Sequence, residues 1–165
     1  MSAVISFVGR SNSGKTTLLE SLIGELKRRG HSVAAIKHSV HDLELDHPGK
    51  DSWRFAEAGS DAVVLGSPKK VVLIKRVDRE ATLEELLKLI GDDYELILVE
   101  GFKDSNTPKI EVHREGLGGL VCSPEDLFAV VTDEPLNVSV PQFSFGQSVA
   151  LVDLIEQRFL ALAKV

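Results

Sequence analysis

Apolar residues along this 165-residue chain fall in short, repeated runs. Residues 4–8 read Val4-Ile5-Ser6-Phe7-Val8, a β-branched and aromatic run that predicts a buried strand. Runs of the same kind follow at Val33-Ala34-Ala35-Ile36, Ala62-Val63-Val64-Leu65, Val71-Val72-Leu73-Ile74, Leu96-Ile97-Leu98-Val99, Ile110-Glu111-Val112 and Phe128-Ala129-Val130-Val131. Between them the period changes. Leu19, Leu22, Ile23 and Leu26 stand at i, i+3, i+4 and i+7, one face of a helix, closed by Lys27, Arg28, Arg29 and Gly30. Thr82-Leu83-Glu84-Glu85 is a capping box ahead of the stripe Leu83, Leu86, Leu87 and Ile90, which Gly91 ends. After Gly146, the positions of Val152, Ile155, Phe159 and Leu162 predict a last amphipathic helix. Continuously apolar strands alternating with helices predict an α/β fold with a largely parallel sheet flanked by helices. Pro68-Lys69-Lys70 predicts a turn that pairs 62–65 with 71–74 as a β-hairpin extension. No repeat or low-complexity linker interrupts the pattern, so residues 1–165 are expected to form a single domain.

A parallel sheet binds ligands at the carboxyl ends of its strands, so the polar residues that follow each run carry the chemistry. Behind the first strand, Gly9-Arg10-Ser11-Asn12-Ser13-Gly14-Lys15-Thr16 fits G-x-x-x-x-G-K-[ST]. The pattern sits between a strand and a helix N-terminus, the setting in which backbone N–H groups and the helix dipole cradle phosphates. Gly9 and Gly14 allow close backbone approach, Lys15 reaches the outer phosphates, and the Thr16 hydroxyl is suited to Mg²⁺. Nucleotide binding is therefore the expected activity of the domain.

Three further strand ends are polar. After Ile36 comes a dense stretch from Lys37 to Arg54, punctuated by Pro48-Gly49. One reading is a switch-like loop in which Lys37 and Lys50 supply positive charge and Asp46 reaches Mg²⁺ or an attacking water; the other is a solvated loop with surface ion pairs. His38, His41 and His47 in this stretch raise a metal site, without the thiols or ligand spacing of zinc. Trp53 and Phe55 read as packing residues of a short helix. Leu96-Ile97-Leu98-Val99-Glu100 has the form of a Walker B strand whose acid, here Glu100, holds the metal directly or through water. Ala129-Val130-Val131-Thr132-Asp133 ends where a guanine reader can stand: Asp133 can accept from guanine N1–H and N2–H₂, or simply cap a turn.

Composition narrows the class. The formal charge is −6 with no long basic block, which argues against nucleic acid as a partner. No apolar run approaches the ~20 residues that cross a bilayer, and no basic-then-apolar start resembles a signal peptide. Cys122 is the single cysteine, so no internal disulfide can form. A cytoplasmic protein without membrane attachment is expected.

With these residues in view, the chain resembles the MobB family of molybdopterin-guanine dinucleotide biosynthesis adaptor proteins. The resemblance rests on the N-terminal G-x-x-x-x-G-K-T-T, the stretch "KHSVHDLELDHPGKDSWRFAEAGSDAV", the turn "VEGFK" and the later "VVTD", from about Ser2 to about Asp133. It implies a P-loop NTPase fold and a homodimeric GTP-binding protein with weak hydrolysis. It also implies a partner, the guanylyltransferase that joins GMP to molybdopterin to form the guanine dinucleotide molybdenum cofactor. By matching positions, Gly9, Arg10, Ser11, Asn12, Ser13, Gly14, Lys15, Thr16 and Thr17 bind phosphates, with Thr16 at Mg²⁺. Asp46 and Glu100 become the acids nearest metal and water, and Lys37, Lys50 and Arg54 contact phosphate or molybdopterin. The competing reading is a P-loop kinase for a small metabolite, which would need an acceptor pocket and a water-excluding lid. No Arg-rich lid insert stands between Val99 and Phe128. A nucleotide-switched metal-insertion protein is the third class, favoured only by the histidines.

Overall fold

The computed structural model describes residues 2–39, 43 and 46–160; His41 and Leu162 lie outside them. In chain order the elements are β1 (Ala3–Val8), α1 (Lys15–Arg28), β2 (Val33–Lys37), α2 (Asp51–Glu57), β3 (Ala62–Ser67), β4 (Lys70–Lys75), α3 (Leu83–Ile90), β5 (Leu96–Glu100), β6 (Lys109–Val112), β7 (Leu127–Val131), β8 (Gln142–Phe143) and α4 (Ser148–Ile155). They group into two compact units, Met1–His38 with Leu83–Val165, and Ser39–Thr82.

The first unit is a six-stranded sheet in the order β2-β5-β1-β6-β7-β8, parallel throughout. This is the α/β architecture that the run spacing predicts; only β8, two residues long, has no counterpart in the pattern. One face of the sheet buries Ile5, Phe7, Leu96, Leu98, Ile110, Val112, Ala129 and Val131. Leu18, Leu19, Leu22 and Leu26 of α1 cover it, with Leu151, Val152 and Ile155 of α4. On the other face, Leu83, Leu86 and Leu87 of α3 cover Ile36, Ile97 and Val99. Loop residues Leu120, Val121, Val138 and Val140 cover Val8, Leu127 and Val130.

That second face also holds buried polar groups, each with partners. Ser6 hydrogen-bonds Thr107 at 2.6 Å, and the Lys109 ammonium donates to the Ser105 carbonyl. The Glu111 carboxylate accepts the Val121 and Cys122 N–H groups at 2.6 and 3.0 Å, which ties the loop after β6 back onto its own strand. Burial raises the pKa of the neighbouring Cys122 thiol, and the Glu111 charge adds to that, so the thiol stays protonated.

Two details fix this unit at its ends. Gly9, with φ 144°, ends β1 against β6, and a Cβ there would stand 2.3 Å from the Val112 carbonyl oxygen. At the end of α1, Glu25 receives Arg28 and Arg29, and Arg29 reaches on to Asp153 and Glu156 at 2.7 and 2.6 Å, clamping α1 to the end of α4. Hydrogen bonds from Arg28 and then Arg29 hold the Glu25 carboxyl down to about 2.

In the second unit, β3 and β4 form the expected antiparallel hairpin, Ser67 opposite Lys70. The Ser67 hydroxyl accepts the Lys70 N–H at 3.0 Å and closes the turn. Val63 is buried, and β3 contacts α2. Val64 and Val71, by contrast, are 63% and 72% exposed, and Leu73 lies open beside them on the same hairpin face. No described helix is long and apolar enough to cross a membrane.

Gly9→Ala is expected to destabilise the fold. The left-handed backbone alone costs about 1–3 kcal/mol, and the Val112 carbonyl cannot swing away as a side chain would. A thermal melt should fall by about 2–4 °C per kcal/mol lost; an unchanged melt would contradict the close approach. The Glu25 clamp makes a pH-dependent prediction. Folding depresses this carboxyl below its ordinary 4.5, so its stabilisation is complete above about pH 4.5 and is lost as pH falls toward about 2. Glu25→Gln should therefore melt below the parent at neutral pH, with the gap closing across that acid range. A gap independent of pH would show that the carboxylate charge is not what clamps the helix.

Candidate functional site

The loop between β1 and α1 is built for close approach of an anion. Gly9, Asn12 and Gly14 have φ of 144°, 63° and 98°, so the chain winds tightly and turns successive N–H groups inward. Gly14 is the N-cap of α1, and the first intrahelical bond runs from Leu18 N–H to its carbonyl. The N–H groups that open the helix have no partner within it. Ser13 is 1% exposed, and its hydroxyl has no hydrogen-bond partner. The half-buried Lys15 ammonium folds back on the Gly9 and Arg10 carbonyls at 3.0 and 2.7 Å. Burial lowers its pKa, and Lys37 nearby adds to that while Glu100 opposes it. An ammonium held over its own loop by carbonyls can exchange them for phosphate oxygens.

Sheet order brings the acid to this loop. β5 lies between β2 and β1, and Glu100 is in register with both Lys37 and Phe7, so the three strand ends meet at one edge. The Thr16 hydroxyl donates to Glu100 Oε2 at 3.0 Å, and Lys37 Nζ to Oε1 at 2.8 Å. Burial pushes the Glu100 carboxyl up, but Lys37, Thr16 and Lys15 outweigh it and the pKa is lowered. The pair of hard oxygens from Thr16 and Glu100 suits Mg²⁺, and the Lys37 ammonium is the cation that balances the acid in this arrangement. Gly101, φ 108°, follows Glu100 and presses against His38, whose ring packs on Phe102 with centroids 4.5 Å apart.

Beyond β1 on the opposite side, the ends of β6, β7 and β8 form a second polar group. Asp133 Oδ1 accepts the Glu115 N–H at 2.7 Å, and Oδ2 accepts from Arg114 at 3.3 Å. Each oxygen keeps a free lone pair. Thr132 bonds the backbone of Glu134, whose carboxylate meets His113 Nε2 at 2.7 Å. The Arg114 guanidinium lies 4.4 Å above the Phe145 ring, and both lean on Gly14. Arg10 donates to Gly119 and holds the glycine-rich stretch after β6 beside the loop.

Of the residues read from the sequence, the first unit therefore gathers the Gly9-to-Thr17 loop, Lys37 and Glu100 at one edge, and Asp133 at the end of β7. Asp46, Lys50 and Arg54 belong to the second unit. There Asp46 Oδ1 accepts the Ser52 hydroxyl and the His47 N–H, both at 3.0 Å, ahead of α2, and Arg54 faces Asp51 at 3.7 Å. Arg114 and Phe145 were not singled out. The only signals for them are an arginine just past the Ile110-Glu111-Val112 run and an aromatic before Gly146. Among the described residues, no three His, Cys, Asp or Glu side chains gather into a metal site.

Known proteins resemble this chain over most of its length. A molybdopterin-guanine dinucleotide biosynthesis adapter protein from Haemophilus influenzae is 37% identical over 155 residues, 93% of this chain and 87% of its own length. One from Escherichia coli is 35% identical over 164 residues, 94% of this chain and 92% of its own. A crystal structure of molybdopterin-guanine biosynthesis protein B superposes with a TM-score of 0.71 at 29% identity, covering 93% of this chain and 98% of the other. The family model described as MobB, molybdopterin guanine dinucleotide synthesis protein B, matches residues 4–133, from within β1 to the acid just past β7, and the chain belongs to that family.

Proposed function

We propose that this protein is a GTP-binding adapter in molybdopterin-guanine dinucleotide biosynthesis, working in the cytoplasm beside the guanylyltransferase that joins GMP to molybdopterin. The observation that carries the reading is the contact of Thr16 and Lys37 with Glu100 at the mouth of the loop. It brings a magnesium-type oxygen pair to a phosphate cradle, in a chain whose relatives bear the adapter name. The N–H groups from Asn12 to Thr17 hold the phosphates, and Lys15 exchanges its loop carbonyls for them. Thr16 and Glu100 would hold Mg²⁺, which neutralises phosphate charge when bound. Asp133 reads the guanine edge with its free lone pairs. Hydrolysis is weak, because fast turnover also needs an oriented water and a cation on the developing charge. An adapter delivers its effect as the bound state and tolerates that deficit.

The hairpin supports a homodimer. A two-stranded hairpin is marginal alone in water, and this one exposes Val64, Val71 and Leu73 on one face. A second copy of the same surface would cover them.

Calorimetric titration with Mg²⁺ and nucleotide tests the site. GTP should bind about tenfold tighter than ATP, the value of one or two buried hydrogen bonds. Lys15→Ala should remove binding with the circular dichroism unchanged, and Asp133→Ala should erase the preference but keep binding. Phosphate release by the protein alone should stay well below about one per second. A preference for ATP with fast turnover would move the protein to the kinase reading. For the dimer, light scattering at micromolar concentration should give twice the chain mass, and Val71→Glu should halve it; a monomeric parent would end that proposal.

A further inference from the structure

We propose that Arg114 is a phosphate-binding residue of the nucleotide site, a cation delivered from β6 on the side of the loop away from Glu100, with Asp133 and Phe145 as the residues that position it. The proposal rests on the nucleotide reading above and adds a residue that the loop motif does not contain.

Topology comes first. β6 pairs with β1 directly, on the side opposite β5, and the Gly9 Cα packs against the carbonyl of Val112, two residues before Arg114. The end of β6 is therefore locked to the start of the loop. From there the guanidinium reaches the N-cap of α1. A Cβ added to Gly14 would meet Arg114 Nη2 at 3.3 Å and Phe145 Cε1 at 3.1 Å. That is the point at which the helix dipole and its unpaired N–H groups favour an anion. The buried, unpartnered Ser13 hydroxyl is an independent sign that this loop awaits a ligand.

The side chain is held but not used up. Its guanidinium stacks on Phe145 at 4.4 Å, and one N–H goes to Asp133 at a long 3.3 Å. Asp133 is itself fixed by the Glu115 N–H at 2.7 Å. A guanidinium has five N–H donors, so four remain for phosphate oxygens. With the Arg114 side chain 44% exposed and Asp133 34%, this ion pair orients the arginine more than it stabilises the fold. A planar fork fixed on an aromatic face loses little freedom when a phosphate arrives.

Inorganic tripolyphosphate separates a phosphate contact from a base contact, because it has no base. Arg114→Gln keeps an N–H donor on a shorter polar side chain while removing the charge. It should weaken Mg²⁺–tripolyphosphate and Mg²⁺–GTP alike, by about 10- to 100-fold, with the melting temperature unchanged. Arg114→Lys keeps the charge without the fork and should lose less than the glutamine variant. Asp133→Asn should weaken tripolyphosphate several-fold, which a residue confined to reading the base would not do. Loss limited to GTP, with tripolyphosphate unaffected, would assign Arg114 to the base and overturn the proposal. Unchanged binding of both ligands in Arg114→Gln, while Lys15→Ala abolishes both, would overturn it and leave the loop reading standing. If Lys15→Ala changes neither ligand, the nucleotide reading falls and this proposal falls with it.

Discussion

Everything at the candidate site depends on β1 being paired in parallel on both edges. Ile5, Phe7 and Val8 are at most 2% exposed, β5 lies on one side and β6 on the other. A strand so placed has one exit, past its carboxyl end, and it leaves through Gly9 with Val112 already in contact. From there α1 carries the chain to β2 on one side of β1, while β6, β7 and β8 extend the sheet on the other. The strand order therefore diverges at β1, and a crevice at the carboxyl ends is the geometric result. The loop occupies the crevice because it directly follows the strand that creates it.

The same placement sets the charge balance. Glu100 at the end of β5 has a side chain only 13% exposed, an unfavourable position for a lone carboxylate. Lys37 and the Thr16 hydroxyl make it tolerable, and Lys15 adds a favourable field. Lys15 in turn is half-buried and must have acceptors, which Gly9 and Arg10 provide. The cluster thus satisfies itself from within the protein, with donors and acceptors in the places where a metal ion and phosphates have complementary needs. Exchanging internal partners for ligand partners leaves the hydrogen-bond count nearly level, so the differential strength of charge-assisted bonds decides whether binding is favourable.

Legibility in the sequence follows the reach of each constraint. The loop is readable because its geometry forces glycine, lysine and threonine at fixed spacing within eight residues. Glu100 is readable because a buried strand must be apolar until it meets the edge, where an acid stands out. The hairpin is readable from two apolar runs about a Pro-Lys turn. β8 is not, since two residues of a sheet edge carry no period. Arg114 and Phe145 are not, because both stand far along the chain from Gly14 and meet it only once β6 and β8 take their places in the sheet. Asp46 and Lys50 stand out in the sequence as part of a dense polar stretch, and in the second unit the Asp46 carboxylate accepts the Ser52 hydroxyl and the His47 N–H.

That local use of carboxylates recurs and bears on the net charge. Glu111 accepts two backbone N–H groups, Asp133 one, Asp46 one, and Glu95 one from Ser32. Each holds a connecting segment whose N–H would otherwise need water. For Glu111, 1% exposed, two such bonds supply the partners that a buried polar group needs. An ionised carboxylate forms stronger bonds to N–H than a neutral acceptor does, so acids serve well at such points. Among the described residues these four acids fasten loops, and Glu25 and Glu156 help clamp α1 to α4. The surplus that gives −6 therefore reflects in part how the connections are secured. It does not imply a cationic partner, and it does not oppose an anionic ligand at the site, where Lys15, Lys37 and Arg114 set the local field.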